Sequence, residues 1–169
     1  VEMTTGISGT EESFKLLSGR AIDVIHIATH GYFIPAPKEV HKKDVMNELE
    51  VGNKFTKAEN ALLRSGLILS GGNRAWIGNP EIKGVEDGIL TAMELSQMNL
   101  RNTELVVLSA CETGLGDIDS REGVFGLQRG LKLAGVNYMI MSLWQVPDAQ
   151  TVELMTNFYD KWTKGNGIE

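Results

Sequence analysis

Three short apolar runs constrain this chain most: AIDVIHIAT (21–29), ELVVLSA (104–110) and NYMIMSLW (137–144). Each is rich in β-branched or large apolar residues and passes straight into loop chemistry, which predicts strands. Their apolarity is continuous instead of alternating, so both faces of each strand are expected to be covered, as in a parallel sheet. Segments of helical character lie between and around them. TEESFKLLSG (10–19) opens on Thr10, carries Glu11 and Glu12 in its first turn and stops at Gly19. LTAMELSQM (90–98) offers Thr91 as a cap with Glu94 three residues on, a capping-box pattern. REGVFGLQRGLKLAG (121–135) puts Val124, Leu127, Leu131 and Ala134 on one stripe and ends at Gly135. DAQTVELMTNFYDKW (148–162) predicts a helix with Asp148 as N-cap and Val152, Met155, Phe158, Tyr159 and Trp162 on its apolar face. Strand, helix, strand, helix, strand, helix gives an α/β domain with right-handed crossovers.

Two segments fit that rhythm less well. LILSGG and the following Asn-Arg-Ala-Trp-Ile predict a small hairpin. Ile34 to Asn60 is polar, charged and without period. It reads as a long surface loop or lid, inserted at about 34–60 into a single domain spanning 1–169.

A chain of 169 residues suffices for one domain with a real core and not for two. The formal net charge is -6, and no basic cluster exceeds the pair Lys42-Lys43, which argues against direct nucleic-acid contact. No apolar stretch of about 18 residues predicts a membrane span, and no secretory leader is visible. The chain opens on Val1 and reads as cut from something longer. A single cysteine cannot build a disulfide framework, so a cytoplasmic setting is expected.

In sheets of this kind the working cleft lies beyond the carboxyl ends of the strands. That rule selects His30, Cys111 and the stretch Trp144 to Asp148. An unpaired cysteine is often a small core hydrophobe. Here Ser109, Ala110 and Cys111 close a strand that Glu112, Thr113 and Gly114 break, which puts the thiol at the cleft rim. A thiolate nucleophile needs a base or cation beside it. His30, in ATHGYF, ends the neighbouring strand candidate, and adjacent strands lie about 4.8 Å apart. Gly31 lets the backbone turn and aim its N–H into the site as an oxyanion donor.

His26 and His30 in HIATH would bind zinc on a helix, but this stretch is strand-like and no CxxC accompanies it. His26 is therefore expected to be a buried, hydrogen-bonded histidine and His41 a solvated one, with no metal or cofactor. GxSxG and GxxxxGK[ST] are both missing, and GLGD after Cys111 is only a weak phosphate-loop signal with no helix directly behind it. Asp148 has two readings. It caps a helix, which the residues alone favour, or it receives a cationic substrate side chain with Trp144 as an apolar wall.

Taken together these residues resemble the CHAT family, caspase-like cysteine peptidases of the clan that includes caspases, gingipains and separase. DVIHIATHGYF carries a histidine-glycine motif at His30-Gly31, and LVVLSACETGLGD an Ala-Cys-x-Thr-Gly motif at Cys111. LLRSGLILSGG, EDGILTAMELSQMNL and EGVFGLQRGLKLAGVNYMIMSLWQVPDAQTVELMTNFY match the rest in order. The resemblance implies a three-layer caspase–haemoglobinase sandwich with a mainly parallel sheet, cropped of terminal strands. It implies a Cys111–His30 dyad, with the N–H groups of Gly31 and Cys111 holding the oxyanion. It also implies that Asp148, in LWQVPD, recognises arginine before the scissile bond, in a regulated endopeptidase acting on protein or peptide targets. A helical-repeat region or sensor is the expected regulatory partner. The alternatives are a catalytically silent caspase-like scaffold and a nucleotide-binding domain using GLGD.

Overall fold

The fold is that of a computed structural model, which describes residues 1–34, 60–80, 82–109, 111–112, 121–142 and 148–165. Among them the strands are β1 (Val24–Ile27), β2 (His30–Phe33), β3 (Ser65–Ile68), β4 (Ile89–Thr91), β5 (Leu105–Leu108), β6 (Cys111–Glu112) and β7 (Tyr138–Met141). The helices are α1 (Glu11–Lys15), α2 (Gly72–Trp76), α3 (Ala92–Gln97), α4 (Arg121–Ala134) and α5 (Asp148–Thr163).

Strands β1, β5 and β7 form a parallel sheet in the order β1-β5-β7. A second sheet runs β4-β3-β2-β6, with β2 and β6 parallel and β3 antiparallel to both β2 and β4. The two sheets share a spine. Chain segment β1 ends before Ala28-Thr29 and the chain resumes as β2 at His30, while β5 ends at Leu108 and β6 begins at Cys111. Partners are 81 positions apart in both halves (24 with 105, 30 with 111), so the pair bends together without slipping register.

Both faces of the parallel sheet are covered, which makes three layers. On one face Ile25, Ile27, Val106 and Leu108 pack in a cluster with Leu95 of α3 and Leu127 and Leu131 of α4. On the other, Leu105 and Val107 meet Met155, with Phe158, Tyr159 and Trp162 of α5 against them. All four residues of β5 are buried, as its unbroken apolarity predicts. Each such side chain contributes about 1.5–3 kcal/mol when fully buried. Among the described residues β7 is an edge strand, of alternating exposure.

Local chemistry sets the helix ends. Thr10 accepts from the Ser13 N–H (3.2 Å) at the start of α1, and the capping box of Thr91 and Glu94 is formed in full at the start of α3. Helix α4 ends as Gly135 takes a φ of +97°. It approaches α3 closely through Gly130, where a Cβ would lie 2.6 Å from the Ala92 carbonyl oxygen.

Three expectations need correction. The predicted hairpin across 67–77 is instead the end of β3 followed by α2, because β3 finds its partners in β2 and β4, distant in sequence. Val152 is 65% exposed, since the sheet accommodates only the stripe from Met155 to Trp162. Asp148 is the first residue within α5, not the residue ahead of it, although an acidic residue in the first turn still suits the helix dipole. The 35–59 part of the predicted lid, with His41, lies outside the described residues, as do Trp144 and the GLGD loop.

Candidate active site

His30 opens β2. Its strand partner on one side is Cys111 and on the other Ile68. The two residues that sequence reasoning paired therefore stand directly opposite each other on adjacent parallel strands, at a spacing of about 4.8 Å. His30 is exposed and Gly31 buried. Gly31 lies between Leu67 and Glu112 in the ladder.

His30 was expected to end a strand, but it begins one, β2. A strand resumes at His30 because β3 supplies a second ladder there. The Thr29 hydroxyl donates to the Ile68 carbonyl, pinning the bend to β3. The β5 side of the bend is held by the Ser109 N–H donating to the Ile27 carbonyl at 2.9 Å. Asp148 begins α5, the helix that follows β7. Because Met141, the last residue of β7, pairs with Leu108, the last of β5, the chain enters the stretch before Asp148 at the same sheet edge that β5 leaves toward Cys111.

His26 is hydrogen-bonded as expected, but it is exposed and not buried, because the α5 face of β1 is only partly covered. Its Nε2 lies 2.9 Å from the Ser109 Oγ and its Nδ1 2.9 Å from the Tyr159 hydroxyl. Desolvation holds the imidazole below the ordinary histidine pKa and pushes the Tyr159 phenol up. Both ring nitrogens are thus engaged by hydroxyls. Ser109 and Tyr159 escaped sequence reasoning. The signal for Ser109 was its place two residues before Cys111, but Tyr159 looked like one more member of an apolar stripe.

A second polar cluster was also missed. Glu11 is 1% exposed, and its Oε2 accepts the Gly88 N–H at 2.9 Å. The carboxylates of Glu11, Glu86 and Glu94 are, among the described residues, the group with metal-ligand spacing. The Lys15 ammonium occupies their centre, at 2.7, 3.0 and 3.0 Å respectively. Burial lowers the Lys15 pKa, but its hydrogen bonds to the three carboxylates outweigh that and hold it above the ordinary value.

With this geometry in place, comparison with known proteins gives one match. A family model, the CHAT domain, matches residues 1–169, the whole chain. The chain belongs to the CHAT domain family. This is a caspase-like family with a peptidase fold. The three layers and the parallel β1-β5-β7 sheet are consistent with a caspase-like sandwich. No curated protein and no solved structure matches the chain. No helix among the described residues is long and apolar enough to cross a membrane.

Proposed function

We propose that this CHAT domain is a cysteine endopeptidase, regulated and selective, which cleaves protein or peptide targets after a basic residue. The observation that carries the reading is the register pairing of His30 with Cys111 at the bend of the β1/β5 pair. A histidine at strand distance from a cysteine can take the thiol proton, and the thiolate then attacks the scissile carbonyl carbon. The tetrahedral intermediate collapses as the C–N bond breaks, and the imidazolium returns its proton to the departing amine. Water, deprotonated by His30, hydrolyses the thioester and regenerates the thiol. N–H groups of Gly31 and Cys111 hold the oxyanion. No cofactor takes part.

Asp148 is assigned to the basic side chain of the substrate and Trp144 to the wall beside it. Supporting this, Asp148 begins the helix that follows the strand next to β5. The proposed setting is cytoplasmic, where reducing conditions preserve a catalytic thiol, with a helical-repeat region or sensor as regulator.

The test is covalent labelling by a peptidyl-arginine chloromethyl ketone, read by whole-protein mass, against a leucine analogue. Saturable labelling is expected, lost in Cys111→Ala and reduced more than about tenfold in His30→Ala. Asp148→Ala should abolish the preference for arginine. Equal labelling by both analogues would sink the basic-residue assignment alone. Absence of labelling in the folded chain with its regulator present would leave a caspase-like scaffold.

A further inference from the structure

We infer that His26 is a positioning residue for the dyad, clamping the ends of β1 and β5 to α5 through its two hydrogen bonds to Ser109 and Tyr159. This rests on the dyad proposed above and adds to it a second histidine that does not touch substrate.

The physical case begins with the bend. Two parallel strands that leave one sheet and enter another must keep one register between the pairs Ile27–Leu108 and His30–Cys111, because His30 and Cys111 face each other only if they do. Ser109 links the strands there twice. Its N–H donates to the Ile27 carbonyl and its hydroxyl meets His26 Nε2. The first link ties backbone to backbone, and the second ties side chain to side chain on the α5 face. Between Val24 and Phe33 the exposed residues are His26, Ala28 and His30.

The other ring nitrogen fixes the third layer. Tyr159 lies within the sixteen-residue helix that begins at Asp148, and its hydroxyl reaches His26 Nδ1 with the rings 5.7 Å apart. Eleven residues of helix separate Tyr159 from Asp148, about 16 Å along the axis. One directional bond at Tyr159 therefore sets the rotation of a rigid rod that ends at the proposed substrate carboxylate. A valine at position 26 would pack against α5 as well as an imidazole does, but it would leave Ser109 and Tyr159 without this shared partner. Apolar contact is tolerant of small slides, whereas a hydrogen bond weakens steeply with misalignment.

The experiment uses the single thiol of the chain. The rate of Cys111 alkylation by iodoacetamide is followed against pH, with circular dichroism confirming the fold of each variant. A thiol paired with His30 stays reactive below the ordinary free-cysteine range near 8.5. His30→Ala should remove that low-pH reactivity. With Cys111 and His30 intact, His26→Phe should lower the alkylation rate at pH 6.5 by about tenfold while leaving the rate above pH 10 unchanged. Tyr159→Phe should lower it by about threefold, and His26→Gln, whose amide can still meet Ser109, should recover part of the loss. A variant that only loosened packing would change the rates at pH 6.5 and above pH 10 alike.

If His30→Ala abolishes the low-pH reactivity but His26→Phe, Ser109→Ala and Tyr159→Phe keep it, the inference is overturned and the dyad stands. If His30→Ala changes nothing, the dyad fails and the inference with it. Should His26→Phe not fold, Ser109→Ala and Tyr159→Phe, each removing one oxygen, decide the matter in the same way.

Discussion

Glu11 and His26 pull the pH dependence of stability in opposite directions, because desolvation disfavours the charged form of each. Burial pushes the Glu11 carboxyl up to about 7, from 4.5 for a free side chain. The folded chain thus keeps a proton that the unfolded chain releases between those values. Its contribution is complete below pH 4.5 and is lost as pH rises through 7. The imidazole of His26 lies below its free value of 6.5. Its contribution is complete above 6.5 and is lost as pH falls. Glu11→Gln should therefore flatten the fall in urea midpoint between about pH 5 and 8, and His26→Phe should flatten the fall on the acid side. Unaltered profiles in either variant would contradict the assignment. Lys15 gives a third test. Replacing it by methionine leaves Glu11, Glu86 and Glu94 without their shared cation, which should cost about 2 kcal/mol at pH 8 and less at pH 5.

At the scale of elements, α3 and α4 illustrate how sequence and packing compete. Thr91 and Glu94 complete a capping box, so Thr91→Ala should lower stability by about 1 kcal/mol in chemical denaturation. Gly130 sits inside α4, where alanine would raise helix propensity by about 1 kcal/mol. Its Cβ would meet the Ala92 carbonyl oxygen at 2.6 Å, a backbone atom that cannot swing away. Overpacking of this kind costs about 1–3 kcal/mol. Gly130→Ala is therefore expected to destabilise by about 1 kcal/mol net, and a gain in stability would mean that α4 shifts freely over α3. The same close approach explains two of the three glycines in α4, Gly126 and Gly130: Ser65 lies against the first as Ala92 does against the second.

Across the whole molecule, β5 is the most constrained element, paired on both edges and buried on both faces. Amide exchange should accordingly be slowest at Val106 to Leu108 and faster in β7, whose outer residues Tyr138 and Ile140 are 49% and 36% exposed. Comparable protection in the two strands would refute this layering. The three parallel strands, the capped helices and the Cys111–His30 candidate pair were legible in the sequence, because each depends on local signals: an apolar run, a cap, a polar residue at a strand end. Strand β4 and the α2 helix were not, since LILSGG takes its partners from residues far along the chain. Nor was the role of Tyr159, which reads as apolar stripe until α5 lies over β1 and brings its hydroxyl to His26. The sequence by itself determined the three parallel strands β1, β5 and β7 and which residues can do thiol chemistry, through side-chain polarity and period. Only the tertiary structure decided that β1 and β5 bend together in one register, setting His30 opposite Cys111, because register is a property of two strands and is written in neither alone.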